Sequence, residues 1–213
     1  MRRPTRGRPR AAHDAAARAV TGAVLVALLS CAGDAPSSGG LRGIELPEPW
    51  PKPDFTLTDT RGEGFEFREQ TAGKVTLLFF GYTHCPDICP VHMANIGAVL
   101  KRLPPSVANE IAVVFVSTDP ERDTPERIRE WLDRFHKSFI GLVGSLDSVN
   151  ALANEIGLAA AAPGERMEHG GYLVGHAAQV VAYTKDDSAH VVYPSGTRQT
   201  DWARDLPLLV KRR

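Results

Sequence analysis

Apolar and polar positions alternate in blocks along most of the chain. Two runs, Val75-Thr76-Leu77-Leu78-Phe79-Phe80 and Ile111–Ser117, are apolar almost throughout, the pattern of strands buried on both faces. Lys74–Phe80 is therefore read as a central strand. From Pro86 to Leu103 the period becomes helical, with Met93, Ile96, Leu100 and Leu103 on one stripe, stopped by Pro104-Pro105. A second helix opens at Thr124 as N-cap with Pro125 at N1, and its inner stripe is Ile128, Trp131, Leu132 and Phe135. Asp54–Thr58 and Glu66–Phe67 read as a short antiparallel pair around the turn Asp59-Thr60-Arg61-Gly62. Ile140–Val143 reads as a short strand and Ser148–Ile156 as a helix closed by Gly157. A loop over 159–171 follows, then a strand at Ala178–Tyr183, the turn Lys185-Asp186-Asp187-Ser188 and a strand at His190–Tyr193. A last helix spans Asp201 to Lys211, with Pro207 interrupting its pattern. The order predicts one α/β domain.

The N-terminal part has a different composition. Arg2, Arg3, Arg6, Arg8, Arg10 and Arg18 stand against one acid, Asp14, and an apolar stretch runs from Ala19 to Leu29. This is the layout of an export signal, and its apolar stretch is shorter than the ~20 residues that span a bilayer. Leu28-Leu29-Ser30-Cys31 resembles a bacterial lipoprotein cleavage box, with Cys31 as the acylated residue. The expected organisation is a signal over 1–30, a flexible Gly/Ser/Pro/Ala-rich tether over 31–43 and a folded domain over 44–213. The folded part then lies outside the cytoplasm, as a membrane-anchored lipoprotein facing the periplasm. A mitochondrial transit peptide, leading to the intermembrane space, is the alternative. With 25 basic and 25 acidic side chains and no basic block beyond the signal, nucleic acid is not implied as a partner.

The chemistry concentrates in Gly81-Tyr82-Thr83-His84-Cys85-Pro86-Asp87-Ile88-Cys89-Pro90, where a buried strand turns into a helix. Unpaired backbone N–H groups and the positive end of a helix favour thiolate over thiol. Thiolates attack disulfides and bind soft metals such as Cu(I). A structural disulfide fits poorly. Cysteines at i and i+4 of a regular helix stand ~5–6 Å apart at Cβ, and the loop closed would be tiny. The motif therefore marks a redox dithiol, a metal clamp, or both.

The segment Phe79 to Pro90 resembles the signature of the Sco/SenC family of copper-binding proteins. Ser117-Thr118-Asp119-Pro120-Glu121-Arg122-Asp123-Thr124-Pro125-Glu126 is similar to that family's second block, and Gly175-His176-Ala177 to a third. The resemblance covers roughly residues 50 to 210, in the right order. It implies a thioredoxin-like fold with a central mixed sheet flanked by helices, in agreement with the element order. It also implies one copper ion per chain, Cu(I) or Cu(II), held by Cys85, Cys89 and His176, and delivery to the copper-site subunit of cytochrome c oxidase. Other periplasmic copper chaperones or thioredoxin-like reductants become further partners. Two positions depart from the family pattern: Gly175 replaces the usual acid before the histidine, and Ala177-Ala178 lack the usual hydroxyl.

Three readings follow: a metallochaperone, a thiol–disulfide reductase using Cys85 and Cys89 on the oxidase's copper-ligand cysteines, and a peroxiredoxin-like peroxidase. The stretch from Gly170 to Gln179 has no proline where thioredoxins carry one, and His176 takes that place. The threonine-rich loop of peroxidases is absent. The metallochaperone leads, and reductase chemistry could share its residues. Among the other histidines, His92 reads as a core residue before a third ligand. His84 either raises the thiolate fraction of Cys85 or packs the turn. Met167 and His169 read as solvated loop residues, and His136 and His190 as surface groups. Asp87 and Asp119 suit either steering or local structure, while Arg122 and Asp123 read as turn and surface groups.

Overall fold

The computed structural model describes residues 40–168 and 170–212. The expected signal, Cys31, most of the tether and His169 lie outside these described residues. Along the chain come β1 (Ile44–Pro51), β2 (Thr56–Asp59), β3 (Gly64–Glu66), α1 (Phe67–Gln70), β4 (Val75–Gly81) and α2 (Ile88–Leu100). Then follow α3 (Pro105–Ala108), β5 (Ile111–Ser117), α4 (Pro125–Asp133), β6 (Ile140–Val143) and α5 (Leu146–Glu155). The last are β7 (Ala162–Pro163), β8 (Val174–Gly175), β9 (Val180–Tyr183), β10 (Ser188–Tyr193) and α6 (Gln199–Lys211).

Eight strands form one mixed sheet in the order β1-β10-β9-β4-β5-β6-β2-β3, with β4, β5 and β6 parallel. The two continuous apolar runs are its central pair, buried at every residue. Val75, Leu77 and Phe79 face one layer, where they pack with Met93 and Ile96 of α2, Ile128 and Leu132 of α4, and Trp202 and Leu206 of α6. Leu78 and Phe80 face the other, with Val149 and Leu152 of α5 and the side chains of Phe65 and Phe67. Each such side chain contributes ~1.5–3 kcal/mol on burial, so this double core sets the fold. The expected α/β arrangement with helices on both faces is present.

Several boundaries differ from expectation. Helix α2 begins at Ile88 rather than Pro86, because the Asp87 backbone, at φ −139° and ψ −77°, lies outside helical geometry and serves as the N-cap. Strand β1 has no period-two signal and carries Pro47, Pro49 and Pro51. It survives as an edge strand whose pairing to β10 is irregular between Glu45 and Trp50. The expected loop over 159–171 contains β7, which pairs with β8 in a two-residue ribbon. Helix α6 runs through Pro207, its buried Trp202, Leu206 and Leu209 outweighing the backbone bond lost there. Thr124 caps α4 as expected, accepting from the Arg127 N–H. Gly157 follows α5 with φ of 73°.

Register positions the site. Gly81 at the end of β4 lies directly beside Ser117 at the end of β5. Strand β9 runs antiparallel to β4, with Val181 opposite Leu78, so the segment before β9 arrives at the carboxyl end of β4. Sites in open α/β sheets gather at such ends.

Candidate metal centre

From Gly81 the chain turns through buried Tyr82 and Thr83 to exposed His84, then to half-buried Cys85 and fully buried Cys89 in the first turn of α2. Gly81 is required by packing: a Cβ there would lie 2.8 Å from Cys89 Sγ and 2.9 Å from Phe79. The Cys89 N–H donates to Cys85 Sγ at 3.4 Å, so the helix start points a donor at that sulfur. Cys85 thus precedes the helix, and the two cysteines do not occupy i and i+4 of one regular helix. Both thiols are free.

His176 comes from the segment between β8 and β9. Its Nε2 stands 3.6 Å from Cys89 Sγ, and its ring meets Phe79 and Tyr82 edge-on, with centroids 6.0 and 5.6 Å away. Its Nδ1 lies 2.9 Å from the Ala177 carbonyl oxygen. A carbonyl only accepts, so Nδ1 carries the hydrogen and the neutral ring presents a bare Nε2 lone pair toward the cysteines. That carbonyl orients the ring from outside the ligand set. Gly175 is not imposed by space, since a Cβ there would meet only the Ala162 carbonyl at 3.7 Å.

The ligand atoms of Cys85, Cys89 and His176 all lie within 4.8 Å of one another. An open cleft of about 340 Å³ reaches Cys85 and His176, lined by Tyr82, Pro86, Ile88 and Leu173 among others. The two thiols differ electrostatically. Cys85 is pulled down to about 3, chiefly by the hydrogen bond from Cys89, with the backbone N–H groups of Cys89 and Asp87 adding to it. Burial, and then the neighbouring Cys85 sulfur, push Cys89 far up. Two sulfurs and a neutral imidazole form a soft donor set. The residues present fit a soft metal ion.

His92 is the core residue expected. It is buried against Phe79 and Trp202, and its Nε2–H donates to the Ala178 carbonyl at 3.1 Å. Burial lowers its pKa. Through Ala178 it supports the strand that follows His176. His84 packs the turn, with Nδ1 3.2 Å from Thr83 Oγ1 and 3.5 Å from Asp123. His190 pairs with Asp186 and His136 with Ser138, while Met167 is exposed. Asp87 is exposed and makes no side-chain capping bond.

Asp123 is not a surface group. It is buried and accepts from Thr83 N–H at 3.0 Å, Thr83 Oγ1 at 2.6 Å and Ser117 Oγ at 2.8 Å. Asp119 is buried too, accepting from Tyr172 O–H at 2.7 Å and from Arg122. His84, Asp119 and Asp123 form a second cluster within 4.8 Å, but its carboxylate oxygens are already engaged by these donors. Tyr172 carried no signal in the sequence: one tyrosine in a Gly-rich loop has no period to betray its partner.

The SCO1/SenC family profile matches residues 48–211. The mitochondrial protein SCO2 of Saccharomyces cerevisiae is 36% identical over 122 residues, which are 57% of this chain and 40% of the yeast protein. The chain thus spans less than half of that relative's length. Among solved structures, apo Sco1 of Thermus thermophilus is 33% identical with a TM-score of 0.70, covering 80% of this chain and 97% of the other. Copper-bound ScoI of Bradyrhizobium japonicum is 30% identical with a TM-score of 0.65, covering 74% and 98%.

Proposed function

The chain belongs to the SCO1/SenC family, and from that premise we propose that it is a metallochaperone delivering copper to the dinuclear copper site of cytochrome c oxidase. The observation that carries the reading is the convergence of Cys85, Cys89 and the bare Nε2 of His176 at the end of β4. Copper is the cargo, one ion per chain. The two sulfurs suit Cu(I), and the added imidazole makes the set acceptable to Cu(II). Both thiols must be reduced for binding, which ties loading to the redox poise of the compartment. The open cleft at Cys85 gives an acceptor's ligands access for exchange.

Export and anchoring complete the proposal. The signal over 1–30 carries the domain out of the cytoplasm, acylated Cys31 holds it to the membrane, and the tether over 31–43 gives it reach. No helix among the described residues is long and apolar enough to cross a membrane. Cys31→Ala should release the protein from membranes or leave an uncleaved precursor; a wild-type protein fully soluble after export would contradict the anchor.

The delivery step is tested by loading the reduced protein with one equivalent of copper and mixing it with the copper-free domain of the oxidase's copper-site subunit. The acceptor's thiolate-to-copper absorption should grow with the wild-type donor and stay flat with Cys85→Ser. A loaded wild-type donor that transfers nothing would overturn the reading.

The inequality of the cysteines favours a second activity on the same residues. Cys85, accessible and anionic, attacks an acceptor disulfide and releases one acceptor thiolate; Cys89, once deprotonated, attacks Cys85 Sγ and releases the other. The product is a Cys85–Cys89 disulfide that an external dithiol reduces again. His176→Ala should leave this exchange little changed while weakening Cu(II) binding strongly.

A further inference from the structure

The two loops that carry the metal-ligand candidates do not touch by accident of packing alone. They are joined through one short turn. The β4–β5 register brings Gly81 and Ser117 side by side, and the contact continues past the strands, where Thr118 N–H and Oγ1 both donate to the Gly81 carbonyl at 2.7 and 3.1 Å. The turn 119–123 then reaches both loops.

One arm grips the cysteine loop. Asp123 holds Thr83 through its backbone N–H and its hydroxyl, two residues before Cys85. The other arm grips the histidine loop. Tyr172, four residues before His176, donates its O–H toward Asp119 at 2.7 Å and toward Glu121 at 3.1 Å. Between the arms, the Arg122 guanidinium lies 3.6 Å from the centroid of the Tyr172 ring and 5.8 Å from that of Tyr82, and its Nε donates to Asp119. Tyr82 in turn packs its ring against His176. Arg122 therefore bridges an aromatic ring from each loop. Asp119 and Asp123 are each 2% exposed, so both sets of bonds lie out of competition with water. The ion pair between Arg166 and Glu121 adds little, being exposed on both sides.

We infer that Asp119, Arg122 and Asp123, with Tyr172 and Thr83 as their contacts, form a two-armed bracket that sets the distance between the cysteine pair and His176. These are positioning residues, and the inference rests on the reading of Cys85, Cys89 and His176 as a copper site. A bracket of this kind explains how a third ligand in the segment just after a two-residue ribbon is held at a fixed place beside two ligands at the β4–α2 junction. Outer contacts that orient ligands typically change metal affinity ~10–100-fold when removed.

Tyr172→Phe separates positioning from packing, because the ring over Arg122 stays and only the hydroxyl is lost. In the reduced, metal-free protein, the nuclear Overhauser contact between the His176 and Tyr82 rings should weaken, with thermal unfolding near wild type. With Cu(II), the affinity should fall about tenfold and the nitrogen hyperfine pattern in electron paramagnetic resonance should broaden. Arg122→Met, which keeps volume and removes the cation between the rings, should weaken the same ring contact, and it decides the matter if Tyr172→Phe fails to fold. If the folded variant keeps both the ring contact and the Cu(II) spectrum of wild type, the bracket is wrong. Should wild type bind no copper, the copper reading fails by itself, and the ring contact in metal-free protein still decides the bracket.

Discussion

The cysteine loop and the histidine loop meet at one site but are built in opposite ways. The first grows out of a strand buried at every residue, is packed by Phe79 and Phe115 where Gly81 turns, and leads into the 13-residue helix α2. The second hangs on the two-residue ribbon of β7 and β8, with exposed Leu173 and Gly175 flanking the buried Val174. Two donors are thus fixed by the core, and the third is brought to them by a segment with little core of its own. In the proposed carrier role this division has a use. Rigid thiols keep a firm hold on a soft ion, while a ligand on a lightly built segment is the one that an acceptor can displace.

The largest effect comes from the rigid side. Cys85→Ser or Cys89→Ser should abolish tight copper binding, a loss above the ~100-fold upper range seen for outer contacts, measured by competition with a Cu(I) chelator. A single variant that retains wild-type affinity would remove the clamp. Within the cysteine loop, the two thiols should then be told apart by pH. Cys85, held down to about 3, keeps its thiolate in mild acid, whereas Cys89, pushed up by burial and by Cys85, keeps its proton. Alkylation of the reduced, metal-free protein at ~pH 5 should modify Cys85 alone by mass spectrometry, and equal labelling would contradict the asymmetry.

Paired glycine substitutions sharpen the contrast between the loops. Gly81→Ala drives a Cβ against Cys89 Sγ and Phe79, and should lower stability by ~1–3 kcal/mol in urea unfolding. At Gly175 a Cβ meets ordinary contact only, so the stability of Gly175→Ala should stay within ~0.5 kcal/mol of wild type. Similar losses for both would mean that the histidine loop is as tightly packed as the cysteine loop.

The same contrast governs what was legible in the sequence. Strands β4 and β5, Thr124 as a cap and the Cys85/Cys89 pair announce themselves through apolar runs, capping chemistry and spacing, all local signals. His176 was found only through resemblance. The partners of its loop are long-range: Tyr172 meets Asp119 across 53 positions, and the orienting group for His176 is a backbone carbonyl that any residue would supply. Asp123 looked like a turn residue because its burial arises from the β4–β5 register, which no window of sequence displays. Strand β1 escaped because its three prolines silence the usual pattern, although an edge strand tolerates them. The start of α2 at Ile88 is set by the non-helical backbone of Asp87, which its residue type does not announce.

The central claim is that Cys85, Cys89 and His176 together hold one copper ion. X-ray absorption at the copper edge of the protein loaded with a single equivalent tests it most directly, in wild type and in His176→Ala. Wild type should show two sulfur scatterers and one nitrogen, and His176→Ala should lose the nitrogen while keeping both sulfurs. A nitrogen shell that persists unchanged in His176→Ala, or a wild-type spectrum with fewer than two sulfurs, would contradict the account.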